Sequence, residues 1–127
     1  MDRRPPFRIL NVSRGTVVAE TARAADNPWS SFLGLMGKPA LPAGEALLIT
    51  PSSSIHTHFM RFAIDVLYVN KDDVIVGIDR DLRPWRFGRF YKQVRYVVEM
   101  AAGGAAGCEV GDEIRKEEGK RKKEDIV

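Results

Sequence analysis

Four side chains able to do chemistry fall close together: His56, His58, Arg61 and Asp65, all in the run IHTHFMRFAIDVLYVN at 55–70. In an extended chain His56 and His58 point the same way, so the pair can serve a divalent metal, or either ring can act as a general base with Asp65 orienting it. Two histidines without a third assignable ligand are more often structural. Glu45, Asp79 and Cys108 are the further candidates, and no spacing rule selects among them. No metal and no cofactor are therefore assigned. Asp65 interrupts an apolar run, and a bare buried carboxylate is costly. It must be paired, with Arg61 the nearest cation in sequence, or accept main-chain N–H groups at a bend. Either structural role is favoured over catalysis.

Residues 80–96 hold the second concentration of chemistry. Arg80, Arg83, Arg86, Arg89, Lys92 and Arg95 interleave with Trp85, Phe87, Phe90, Tyr91 and Tyr96, and no carboxylate lies between Asp81 and Glu99. Cations alternating with rings can hold phosphates and stack bases. They can equally form a solvated loop whose rings tuck inward while the guanidinium groups stay wet, which is the favoured expectation.

These groups must be positioned by short strands. Residues 7–12 and 16–21 read as a hairpin around Ser13-Arg14-Gly15. Asn27 and Pro28 resemble a cap and first turn, and Trp29, Phe32, Leu33 and Met36 then recur at helical spacing, predicting one short helix near 28–36. Residues 45–50 are an apolar strand. The central run from Ile55 is expected to be extended, turning at 70–73 and returning through 74–78, where Gly77 marks a bulge or a close approach. Residues 94–100 form another strand, and Glu113–Ile114 the last. Serines 52–54 beside Pro51 fit no nucleophile-elbow pattern, and the glycines of 101–107 lack the Lys-Ser/Thr ending of a phosphate loop. The expected fold is mainly β: an antiparallel sandwich or partly closed barrel of about seven strands.

IHTHFMRFAIDVLYVN, then LRPWR at 82–86, VVEMAAG at 97–103 and VGDEI at 110–114, with GLMGK at 34–38 and GEALLI at 44–49 upstream, resembles the uncharacterised prokaryotic family called domain of unknown function 192. The likeness spans roughly residues 20–114. It departs from the family at Ala63, where proline is usual, and at 51–54, where serines stand in place of a frequent cysteine. The resemblance implies a compact, mainly antiparallel β domain and no activity.

The 127 residues suit one hydrophobic core, and 44% hydrophobic with 29% charged residues is the make-up of an ordinary globular protein. The single cysteine, Cys108, excludes an internal disulfide. The amino terminus has charge but no long apolar stretch, so the expected place is the cytoplasm, with no membrane association. A net charge of +3 is too small to argue for nucleic acid by itself. The expected organisation is a β domain over 1–114 and a charged, disordered tail over 115–127.

Three functions follow. The favoured one is a non-catalytic module binding an acidic or anionic small ligand, with His56, His58, Arg61, Asp65, Trp85 and Arg86 as candidate contacts. The alternatives are a hydrolase using metal or His/Asp chemistry, and RNA or single-stranded nucleic-acid binding through 80–96. Whether any reaction is catalysed, and the oligomeric state, stay open.

Overall fold

Burial alternates along Phe7–Asn11, with Phe7, Ile9 and Asn11 buried and Arg8 and Leu10 half-covered. A two-residue period of this kind specifies a strand with one face inward. A computed structural model of the protein, describing residues 5–25, 41–50, 57 and 61–118, has this segment as the first of seven strands. They are β1 (Phe7–Asn11), β2 (Thr16–Ala25), β3 (Glu45–Ile49), β4 (Ile64–Val69), β5 (Ile75–Leu82), β6 (Tyr96–Ala101) and β7 (Ile114–Glu118). No helix occurs among the described residues, and the helix expected near 28–36 lies outside them.

The strands make one sheet in the order β5-β4-β6-β3-β2-β1-β7. All neighbours run antiparallel except β2 and β3, which are parallel. A parallel pair needs a long crossover, and residues 26–44 supply it. The two edge strands then meet at one end. Val74 bridges Glu113, Ile75 N donates to Asp112 O at 2.9 Å, and Gly111 N donates to Ile75 O at 2.8 Å. The sheet has thus curled until its edges touch, which makes it a partly closed barrel and removes part of an exposed edge.

Curling creates two cores. Inside the curl pack Phe7, Ile9, Leu67, Val69, Ile75, Val98, Met100 and Ile114. On the opposite face of the central strands, Ile49, Ile64, Val66, Tyr68 and Val97 are covered by Leu41, Phe62, Tyr91 and Val94. Every residue of β4 is consequently buried, as a strand covered on both faces requires.

The tight turns follow their residues. Gly15 adopts φ +66° in the β1–β2 hairpin. In the 70–73 turn, Asn70 Oδ1 accepts from Asp72 N and Val74 N at 2.9 and 3.0 Å, an Asx-type turn. Two expectations are corrected. Of the first part of the central run Thr57 and 61–63 are described, and none of these lies in the expected strand, because Thr57 spends its backbone groups on the loop after β5. The last strand does not end at Ile114. It continues to Glu118 as an edge paired with β1, where the Arg8 guanidinium meets Glu117 at 2.7 Å and Lys116 lies over the Phe7 ring. Cross-strand partners order those charges; sequence hydrophobicity does not register them. Residues 119–127 of the expected tail lie outside the described residues.

Candidate functional site

Between β5 and β6 the chain leaves the sheet as the loop 83–95 and folds back over the outer core. Its return is fixed by Tyr91, whose ring lies over Gly77 so closely that a Cβ there would collide with it. The same ring packs against Tyr68, centroids 4.7 Å apart. Gly77 is therefore the seat of a close approach. Beside it, Asp79 Oδ2 accepts from Tyr68 Oη at 2.7 Å and from Arg89 N at 2.9 Å. Burial, and then this hydrogen bond, push the Tyr68 hydroxyl well above its usual pKa, so it stays a donor.

The front of the loop is held by one residue. Buried Thr57 donates its N–H to Arg86 O at 2.8 Å and accepts from Trp85 N at 3.0 Å, in strand-like exchange. Its hydroxyl donates to Arg83 O at 2.6 Å and accepts from Arg86 N at 2.8 Å. So clamped, Trp85 sits at φ +65°, a conformation uncommon for a bulky residue. Its indole is 54% exposed, and Phe87 and Phe90 are 75% and 68% exposed. The expectation that these rings tuck inward holds for Tyr91, against the outer core, and for Tyr96, against the inner one, and not for Trp85, Phe87 and Phe90.

The cations of the loop alternate with the rings along the chain. Arg83, Arg86, Arg89, Lys92 and Arg95 are all exposed. Arg83 pairs loosely with Asp81 at 3.5 Å and Arg89 with Asp79 at 3.8 Å. Among the described residues no carboxylate pairs with Arg86, Lys92 or Arg95. Arg61 is also exposed.

Asp65 has a different task. Its Oδ1 accepts from Asp81 N at 2.8 Å, and its Oδ2 from Gly103 N and Ala105 N at 3.0 and 2.9 Å. Both oxygens are thus occupied by main-chain amides, which tie the end of β5 to the turn after β6. His56 and His58 lie outside the described residues, as the covalent neighbours of Thr57. Of the further metal-ligand candidates, Asp79 is engaged with Tyr68 and Arg89, and Cys108 is buried with its thiol pKa raised by desolvation. Among the described residues no group of three or more His, Cys, Asp or Glu is placed to hold a metal.

One buried carboxyl belongs to no such arrangement. Glu99 stands in the middle of β6 between Val66 of β4 and Leu47 of β3, on the outer-core face, and is 6% exposed. Among the described residues no hydrogen bond or ion pair reaches it. Burial alone raises its pKa to about 7, so near neutrality it exchanges a proton that an ordinary glutamate has lost.

The family model for domain of unknown function 192, described as an uncharacterised ACR family, matches residues 9–116. The chain belongs to the DUF192 family. It is 35% identical over 113 residues to a UPF0127 protein of Pyrococcus furiosus, covering 84% of this chain and 95% of that one. A UPF0127 protein of Thermococcus sibiricus is 32% identical, over 84% of this chain and 72% of that one. Two solved structures share the fold. One is a Novosphingobium aromaticivorans protein of unknown function (TM-score 0.73, 19% identity, 87% of this chain and 83% of that one). The other is a putative transcription regulator of Sinorhizobium meliloti (TM-score 0.71, 21% identity, 87% and 92%). No helix among the described residues is long and apolar enough to cross a membrane.

In this DUF192 chain, sequence reasoning found the aromatic-cationic loop and missed what holds it. Thr57 looks unremarkable between two histidines. Asp79 and Glu99 share with Asp65 one usable signal, a carboxylate inside an apolar strand.

Proposed function

We propose that the protein is a non-catalytic binding module that takes an acidic or anionic ligand on the surface carrying Arg61, Trp85 and Arg86. The observation that carries this reading is the clamped loop: Thr57 and Asp79 fix its backbone while exposed rings and guanidinium groups face solvent. Fixing the backbone beforehand lowers the entropy cost of capturing a ligand, and backbone held at positive φ collects where function requires it. Arginine suits the role because its planar fork grips carboxylate or phosphate with two bonds. His56 and His58, joined to Thr57, are the further contacts this reading assigns. A hydrolase built on either histidine with Asp65 orienting it draws less support, since both Asp65 oxygens are engaged by amides.

A thermal-shift screen with di- and tricarboxylates, inorganic phosphate and polyphosphate tests it. A bound ligand at about a hundred times its Kd adds about 2.7 kcal/mol to stability, a readily measured shift. The shift should shrink in Arg86→Ala and in Arg61→Ala. If no anion moves the wild type, or both variants respond as the wild type does, the reading fails.

A further inference from the structure

We infer that the occupant of the 83–95 loop is an unpaired strand of nucleic acid, its bases stacked on Trp85, Phe87 and Phe90 and its phosphates held by the intervening cations. This rests on the anionic-ligand reading above and narrows it to one partner class.

Three observations carry the step. First, the loop exposes three aromatic rings within six residues, 54–75% accessible. Against a small carboxylate one ring would serve as a wall, whereas a series of rings matches a polymer with a flat face at every repeat. Second, the cations alternate with the rings instead of standing apart: Arg83, Arg86, Arg89, Lys92 and Arg95 are spaced three residues from one another. Base and phosphate alternate along a strand in the same manner. Third, the backbone is fixed at both ends of the ring series, by Thr57 at 83–86 and by Asp79 at Arg89, so the rings are presented without a large ordering cost.

The same features argue against two competitors. A duplex buries its base faces in its own stack, so exposed rings gain nothing from it. At a bilayer, rings enter the acyl boundary from a face that is apolar as a block, with charge on the other side. Here each ring adjoins a guanidinium that would have to follow it, and four of the five cations are arginines, which favour planar phosphate and base contacts over diffuse attraction.

The experiment uses the full chain and a fluorescein-labelled twelve-nucleotide uridine oligomer, read by anisotropy from 50 to 200 mM salt. Binding should weaken roughly 20- to 100-fold across that range if three to five phosphates are neutralised. Trp85→Ala should lose about tenfold or more in affinity. Trp85→Phe should recover most of that while abolishing the oligomer-dependent quench of tryptophan emission. Arg86→Ala should weaken binding and flatten the salt dependence by about 0.7 in logarithmic slope. The urea midpoint is measured on each variant, so that a loss of binding is told apart from a loss of fold. The proposal is overturned if the matched duplex binds as tightly as the single strand, or if Trp85→Ala binds unchanged. Phosphatidylserine vesicles binding where the oligomer does not would also overturn it, in favour of a membrane surface. If polyphosphate binds through Arg86 and the oligomer does not, this proposal falls and the anionic-ligand reading stands. If neither the oligomer nor any anion of the screen binds, both fall.

Discussion

At the scale of single residues, the two buried carboxyls Asp65 and Glu99 show how surroundings decide the fate of one functional group. Asp65 meets three amide N–H groups, which replace water as donors and make burial of its charge tolerable. Removing the carboxylate in Asp65→Ala leaves three amide donors, one buried and two part-buried, without their acceptor and should cost on the order of 3 kcal/mol, seen as a lowered urea midpoint at unchanged slope. Glu99 meets Val66 and Leu47 instead, and its pKa rises to about 7 through burial. The folded state therefore holds a proton that the unfolded chain releases near the ordinary glutamate value. By linkage, stability falls as pH rises from about 4.5 to 7 and then levels off, by roughly 3 kcal/mol in all. Glu99→Gln removes the titration, so it should match the wild type near pH 4 and exceed it by about that amount at pH 8. Urea melts at both pH values test this, and equal effects at the two would refute it.

Among the elements, the loop 83–95 owes its shape to residues outside it. Gly77 leaves room for the Tyr91 ring, and Asp79 holds Arg89 N. Thr57 supplies both sides of a strand-like exchange plus a hydroxyl that donates and accepts at once. Thr57→Val keeps the shape and deletes the hydroxyl, leaving Arg83 O and Arg86 N short of a partner. A destabilisation of about 1–3 kcal/mol is expected, concentrated in the loop. Amide exchange should accelerate at Arg86 more than in β4 or β6; uniform acceleration would mean that the hydroxyl is not a local clamp.

For the whole molecule, the decisive event is the meeting of the sheet's two edges. The 109–113 turn that joins them is organised by Asp112, which accepts from Asn11 Nδ2 at 2.9 Å, from Arg14 Nε at 2.6 Å and from Glu109 N at 2.9 Å. The Arg14 hydrogen bond, then that from Asn11, lowers its carboxyl pKa to about 2. A depressed pKa contributes stability that is complete above the unfolded value of 3.8 and is lost as pH falls through about 2. Wild type should thus lose stability on acidification between pH 4 and 2 more steeply than Asp112→Ala, the two urea midpoints converging. Parallel curves would show that Asp112 does not link closure to pH.

Strand positions and turns were legible from local information, because a two-residue period and residues such as Gly15 and Asn70 act within a few positions. The loop's composition was equally plain. What no local rule contains is pairing across distance: that β2 and β3 run parallel, that charged Arg115–Glu118 is ordered by β1, that Thr57 abandons a strand to clamp residues 83–86, and that β5 reaches β7. The sequence alone determined a β protein carrying an aromatic-cationic loop. Only the tertiary structure decided which rings face solvent and which carboxyls find donors, because exposure and hydrogen bonding depend on what the rest of the chain brings alongside.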